Sequence, residues 1–183
     1  MLSNDPALPY LHNQIICREL VSTDLHALYQ YLQQLSDETK KRFGPHLFDM
    51  DALMHLYTTD AGLTAYIAED TTLSSIIAYS LLKNGCLPHD RERLQSYGQP
   101  IDDGTCCTFA PSVADNWQSK GIGKLLFHHI VTELKSRGIK KIILWGGVQA
   151  SNKKAVNFYQ KMGFQTLGAF EYNGANFDMA LYL

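Results

Sequence analysis

Asn116-Trp117-Gln118-Ser119-Lys120-Gly121-Ile122-Gly123-Lys124 is the stretch on which the reading of this chain turns. It is rich in glycine, follows a predicted buried strand and opens an amphipathic helix. A helix start leaves several backbone N–H groups without internal partners and carries the positive end of the helix dipole. Such a place suits a phosphate group. A Walker A loop needs a glycine five residues before its Gly-Lys pair and a Ser or Thr after it. Gln118 and Leu125 stand at those places, so that pattern fails twice. A dinucleotide fingerprint needs a small third residue for close helix–strand packing. Here Gly121-Ile122-Gly123-Lys124-Leu125-Leu126 ends in leucine, deep in the chain. What remains is Q-x-x-G-x-G, read with its neighbours.

Upstream, Thr105 to Val113 reads as a strand, with Pro111 marking a bulge or an unpaired edge position. Downstream, Ile122, Leu125, Leu126, Ile130 and Leu134 form one stripe of a helix from Gly121 to Arg137, ended by Gly138. Ile139 to Trp145 contains the run Ile142-Ile143-Leu144-Trp145, which suits a strand buried on both faces. Asn152 is a good N-cap for a helix reaching Met162, and Gly163 a good residue to end it. Strands Gln165 to Tyr172 and Asn176 to Leu183 are joined at Asn173-Gly174, a hairpin signal.

The first half has the same alternation. Ile15 to Leu20 is a strand, and Ser22 or Thr23 caps a helix bearing Leu25, Leu28, Leu32 and Leu35 on one face. Ser36 to Pro45 is a polar connection with a short helix, stopped at Gly44-Pro45. A further helix spans Met50 to Tyr57, with Asp49 or Asp51 near its start. Leu63 to Glu69 and Ser74 to Lys83 form an antiparallel pair. Gly85 to Gly104, with Pro88 and Pro100, is irregular, and reads as either a substrate loop or surface decoration. The fold class is α/β around a mixed sheet.

Bulk properties narrow the function. With 183 residues the chain is expected to be one domain with a sizeable core. A net charge of -2 argues against a nucleic-acid partner, whose affinity needs clustered Lys and Arg. No apolar run approaches the roughly 20 residues of a membrane span. Met1 to Tyr10 lacks a basic end and an apolar core of leader type, so a cytoplasmic location is expected. Cys17, Cys86, Cys106 and Cys107 show no C-x-x-C spacing, so no metal site is expected and the thiols read as packing groups. Cys106 and Cys107 point to opposite faces of their strand. His128 and His129 point about 100° apart on a helix and cannot easily share a metal.

Val113, the Q-S-K-G-I-G loop and Asn152-x-x-Ala155-x-x-Phe158-Tyr159-x-x-x-Gly163-Phe164, separated by one helix and one buried strand, resemble the GNAT family of N-acetyltransferases. The resemblance is carried by the last 80 or so residues; the first hundred agree only in element order. It implies the acyl-CoA N-acyltransferase fold over residues 1–183, a mixed, mostly antiparallel central sheet with two splayed parallel strands, flanked by helices. It implies acetyl-CoA as co-substrate, its pyrophosphate on the amides of Gln118, Ser119, Lys120, Gly121, Ile122, Gly123 and Lys124. The pantetheine arm would run between the splayed strands, here Thr105 to Val113 and Ile139 to Gly146, pairing with backbone near Ser112 and Val113. The Val113 N–H would face the thioester oxygen. Asn152 would bond the pantetheine arm, and Tyr159 would give a proton to the departing thiolate; plain packing and capping are the alternative roles for both. The basic run Lys135 to Lys141 is either a solvated helix end or a contact for the 3′-phosphate.

The acceptor implied is an amine, of a small molecule or of a protein or peptide. Val113-Ala114-Asp115-Asn116-Trp117-Gln118 and Leu35-Ser36-Asp37-Glu38-Thr39 through Arg42-Phe43 resemble the branch that acetylates protein lysines. That branch often has a glutamate five residues before the valine; Thr108 stands here and cannot act as a base. Glu69, Asp102, Asp103 and Glu171 are the candidate replacements. Direct transfer in a ternary complex is the expected mechanism. An acetyl-cysteine route through Cys106 or Cys107, an acyl-CoA-binding regulatory module, and a nucleotide-binding protein are the alternatives. Pockets for small amines, antibiotics, polyamines or peptide ends would be built around Arg42 to Tyr57 and Gly85 to Gly104. A monomer or a homodimer is compatible with the composition.

Overall fold

The computed structural model describes residues 14–59, 62–98 and 100–183. The reading of Met1 to Tyr10 as lacking a leader falls outside them. The first strand, β1 (Ile15–Glu19), leads through a 3₁₀ turn at Ser22–Asp24 into α1 (Leu25–Gln34) and α2 (Asp37–Arg42). Next come α3 (Met50–Thr59), β2 (Leu63–Asp70) and β3 (Ser75–Asn84). A 3₁₀ turn at Pro88–Asp90 and α4 (Arg91–Ser96) precede β4 (Cys106–Val113). After a 3₁₀ turn at Asp115–Trp117 follow α5 (Ile122–Ser136), β5 (Lys141–Leu144) and β6 (Val148–Gln149). The chain closes with α6 (Lys153–Lys161), β7 (Gln165–Glu171) and β8 (Ala175–Tyr182).

Among the described residues eight strands form one sheet, ordered β1-β2-β3-β4-β5-β8-β6, with β7 also paired to β8. Every pairing is antiparallel except β4 with β5. Helices cover both faces. The stripe expected on α5 buries Ile122, Leu126, Ile130 and Leu134 against Phe109, Ile142 and Leu144, with Tyr159 of α6 in the same cluster. On the opposite face Leu28, Leu32 and Leu53 of α1 and α3 pack on Ile67, Tyr79 and Leu81. A smaller cluster of Cys86, Leu94, Cys106, Ile143 and Ala180 lies beneath α4. Cys106 and Cys107 therefore do face opposite sides of β4.

Several expectations need correction. Neither Ser22 nor Thr23 caps α1; both lie inside the 3₁₀ turn, whose geometry is held by the Val21 N–H donating to Asp24 Oδ2 at 2.9 Å. Gly85 to Gly104 is not irregular throughout. Pro88 starts a turn with its fixed φ, and Asp90 and Arg93, one helical turn apart, pair at 2.7 Å across the start of α4. The two-residue strand β6 was not foreseen, being too short for any periodicity. Pro111 makes no bulge, because β3 and β4 stay in register through Ser80↔Pro111.

What positions the site is where β4 and β5 separate. They pair from Cys106↔Lys141 to Phe109↔Leu144, and a last bond joins Trp145 N–H to Phe109 O at 3.0 Å. Gly146 and Gly147 then take φ of +63° and +75° and turn the chain. A side chain at 147 would bring its Cβ to 2.8 Å from the Phe177 carbonyl oxygen, so only glycine fits this bend. Beyond it, β6 continues along β8 while β4 stays with β3. The sheet opens between them.

Candidate active site

Strand β4 runs four residues past its last pairing with β5, and its backbone alternates. Ala114 N–H bonds back to Ile77 O of β3 at 2.9 Å. In an antiparallel ladder neighbouring residues face opposite ways, so the N–H of Val113 points away from β3, into the gap. Phe109, Pro111 and Val113 share that orientation, and Pro111 sits where a missing N–H breaks no ladder bond. Ser112 is turned the other way: its hydroxyl lies 2.9 Å from the Tyr31 phenol and donates to Tyr79 O at 3.3 Å. Ser112 thus lines the cleft and at the same time holds β4 against β3 and α1, while Val113 presents the open edge.

The gap is a cleft of about 1470 Å³. Of the residues expected around a phosphate, Gln118, Ser119, Gly121, Gly123 and Lys124 line it. Lys120 and Ile122 do not: Lys120 Nζ lies 5.3 Å from the Trp117 ring centroid, and the Ile122 side chain is in the core. Gly121 takes φ +85° just before α5, a conformation that turns the loop amides toward one point. Gln118 Nε2 donates to Val113 O at 3.2 Å and its Oε1 accepts from Lys154 Nζ at 2.8 Å. One side chain thus ties the loop to the β4 edge and to α6.

Asn152 and Tyr159 line the same cleft. Asn152 is the N-cap expected of it, with Oδ1 accepting from Ala155 N–H at 3.2 Å; no described residue takes its Nδ2 hydrogens. Tyr159 is 8% exposed, its ring 5.5 Å from that of Phe158 and 5.4 Å from that of Phe164. Burial pushes its phenol above the ordinary tyrosine range. Core packing and a place in the cleft lining thus coexist in one residue.

Asp115 brings together the segments Leu35 to Phe43 and Val113 to Gln118. Its carboxylate accepts from Ser36 N–H (2.9 Å), Ser36 Oγ (2.8 Å) and Thr39 Oγ1 (2.7 Å), fastening α2 to the end of β4. Burial opposes the charge, yet these hydrogen bonds together hold the carboxyl below the usual aspartate range.

The expected substitutes for a base separate clearly. Thr108 is 1% exposed and donates to Gly85 O at 2.8 Å, so the insertion covers it. Glu69 is bound by Arg18 at 2.9 Å. Asp102 closes the turn at Gly104 and Thr105, and Asp103 holds Cys86 N–H and Arg91. Of the four carboxylates, Glu171 alone lines the cleft. Lys135 to Lys141 contribute nothing to its lining. His129 stacks edge-on to Tyr66 at 5.7 Å while His128 is exposed on α5. Burial raises the Cys106 and Cys107 thiols to about 11 and about 12, which removes the thiolate an acyl-cysteine would need. Among the described residues no group of His, Cys, Asp and Glu could hold a metal ion, and no helix is long and apolar enough to cross a membrane.

The description "Acetyltransferase (GNAT) family" matches residues 28–164, which include the loop, the splayed strands and α6. The chain belongs to the GNAT acetyltransferase family. Within it, this GNAT protein is 36% identical over 64 residues to the [ribosomal protein bS18]-alanine N-acetyltransferases of Salmonella typhimurium and of Escherichia coli K12. The match covers 35% of this chain and only 40% of the length of those relatives. Solved structures agree over nearly the whole chain. The GNAT domain of S. lividans PAT gives a TM-score of 0.70 at 21% identity, covering 91% of this chain and 89% of that one. Aminoglycoside acetyltransferase AAC(6')-Ib in complex with coenzyme A gives 0.66 at 20% identity, covering 92% and 94%. At such identities the likeness is one of fold.

The sequence reading offered Gly85 to Gly104 as a substrate loop or as surface decoration, without saying which of its residues would face a pocket. His89, Asp90 and Arg93 of the insertion line the far wall of the cleft, beside Glu171 and Phe170 of β7, over whose ring the Arg93 guanidinium stands at 3.7 Å. The Asp90–Arg93 spacing was the available signal, since an i,i+3 pair marks a helical turn. What it faces depends on β7 and β8, eighty residues away.

Proposed function

We propose that this GNAT protein, as a single domain, transfers the acetyl group of acetyl-CoA to an amine by direct attack in a ternary complex. The observation that carries this is the unpaired edge of β4 at Val113, held open by Gly146-Gly147 beside the glycine loop. An extended amide chain can complete that edge as a strand would, and the loop amides with Lys124 and Lys154 supply the anion-binding end. Nitrogen attacks the thioester carbon, the C–N bond forms and the C–S bond breaks. The Val113 N–H receives the developing oxyanion. Tyr159 gives its phenolic proton to the departing sulfur and regains one, through cleft water, from the second proton that the nitrogen loses as the amide forms, and Asn152 Nδ2 is free to bind the amide chain. The amine arrives as an ammonium ion, and its proton leaves through Glu171 and cleft water. The products are the amide, CoA thiol and one proton. Holding both reactants together supplies much of the barrier reduction.

The acceptor is the amine of a small molecule or of a protein or peptide; the bS18-alanine relatives support the second class. A CoA-release assay over a panel of amines and amino-terminal peptides, run in parallel on Tyr159→Phe, tests the reading. Turnover on at least one amine, lost in Tyr159→Phe, is expected. CoA binding with no turnover on any amine would favour an acyl-CoA-binding regulatory module. Turnover untouched by Tyr159→Phe removes the proton-donor role and leaves the transferase.

A further inference from the structure

The far wall of the cleft is built on a buried charge cluster that does not balance. Arg93 donates from Nε to Asp178 Oδ2 at 2.7 Å, and from one terminal nitrogen to Asp178 Oδ1 at 3.2 Å and to Asp90 Oδ1 at 2.7 Å. Tyr97 adds a bond to Asp178 Oδ2 at 2.9 Å, and the guanidinium carbon stands 3.7 Å from the Phe170 ring centroid. Two carboxylates, 3% and 1% exposed, share one guanidinium, which leaves one negative charge over. Asp178 is fully satisfied. Asp90 is not: Oδ2 receives no hydrogen bond from any described residue, and Asp90 lines the cleft. It stands at the N-cap position of α4 yet makes no capping bond, so helix capping does not explain it. His89 is 72% exposed with Nε2 at 3.6 Å from Oδ1, too far for a good hydrogen bond. Lys41 and the Arg42–Glu38 pair also line the cleft, from α2, and lie in solvent. Oδ2 is not among the buried atoms that lack a partner, so it is open to the cleft, where a cation beside it gains a charge-assisted hydrogen bond.

The sheet gives the scale of the distance. Phe177 pairs with Val148 just past the Gly146-Gly147 bend, so its neighbour Asp178 lies level with that bend, across the opened gap from the free end of β4. Two strand spacings separate β8 from β4, and Val113 lies four residues past the last β4–β5 pair, which gives a separation on the order of 10–15 Å. A group held at Asp90 is therefore not the amine that reacts at Val113.

We propose that Asp90 Oδ2 binds a second cationic group of the acceptor, so that the preferred substrates are amines carrying another positive charge about 10–15 Å away along the cleft. This rests on amine acetylation at the same cleft. The chemistry is shared by linear polyamines and by amino-terminal peptides with a nearby Lys or Arg.

The test compares α,ω-diamines of increasing length with monoamines of the same length, in the CoA-release assay, for the wild-type protein and Asp90→Asn. The readout is the ratio of kcat/KM between diamine and monoamine. In the wild type it should rise with length to about ten- to a hundredfold, the range of one charge-assisted hydrogen bond. In Asp90→Asn it should fall to about one. Paired peptides with Lys or norleucine at the third residue extend the comparison to the macromolecular source. A wild-type ratio near one at every length and in both peptides would overturn the proposal without any variant, as would a ratio that survives Asp90→Asn. No turnover on any amine by the wild type would instead strike at the transferase reading.

Discussion

In Tyr159 the core packing and the proposed proton transfer meet in one side chain. Its ring lies in the aromatic cluster with Phe158 and Phe164, so Tyr159→Phe keeps the packed volume and removes only the hydroxyl. We expect kcat to fall by about 10²-fold or more, the usual share of a positioned acid, with the melting temperature little changed. Because burial raises this phenol above its ordinary value of about 10, it stays protonated throughout the neutral range. The alkaline limb of a kcat–pH profile should therefore not follow tyrosine ionisation, and should look the same in wild type and Tyr159→Phe. Gly147 makes a second case. With φ +75° and the Phe177 carbonyl where a Cβ would go, Gly147→Ala should destabilise by about 2–3 kcal/mol, read as a lower urea midpoint.

Among the elements, α2 depends on one carboxylate. It has only six residues, too short to persist alone, and Asp115 holds it through Ser36 and Thr39. Replacing Asp115 with Ala should lower stability by about 1–2 kcal/mol, kept modest by partial solvent exposure. The pH dependence has a definite sign. The folded-state carboxyl titrates below its unfolded value, so the stabilisation is complete above about pH 4 and is lost as pH falls through the folded value. Urea midpoints of wild type and Asp115→Asn should therefore converge in acid and separate toward neutrality. Of the elements themselves, α5, α6 and the final hairpin were legible because their period, caps and turn residues are local. Asn152 and Gly163 bracket α6 as expected, and Asn173-Gly174 makes the β7–β8 turn with both residues at positive φ. Strand β6 and helix α4 were not legible. Two residues carry no period, and α4 owes its place to Arg93 meeting Asp178 of β8.

For the molecule as a whole, the sheet is two antiparallel halves joined only where β4 meets β5, and the cleft lies at that junction. A ligand filling it binds the folded state alone and must raise the melting temperature. Saturation at a hundred times Kd corresponds to about 2.7 kcal/mol, or roughly 5–10 °C for a chain of this size. We expect that shift with CoA in a thermal melt and none with ATP or NAD at equal concentration. A shift with NAD or ATP instead would point back to the nucleotide-binding class.

The sequence by itself determined the elements along the loop side of the cleft. A glycine loop opening a helix, an apolar strand and a capped helix with Asn152 and Tyr159 are written in short spacings, and backbone amides need only the right turn to bind an anion. Only the tertiary structure decided which backbone groups stay free and which charges stay unpaired. That Val113 rather than Ser112 faces the gap follows from strand alternation against β3. That Thr108 lies under Gly85, and that Asp90 shares one arginine with Asp178, follow from an insertion docking on distant strands. The far wall of the cleft is made of such long-range contacts, between residues whose spacing along the chain carries no period.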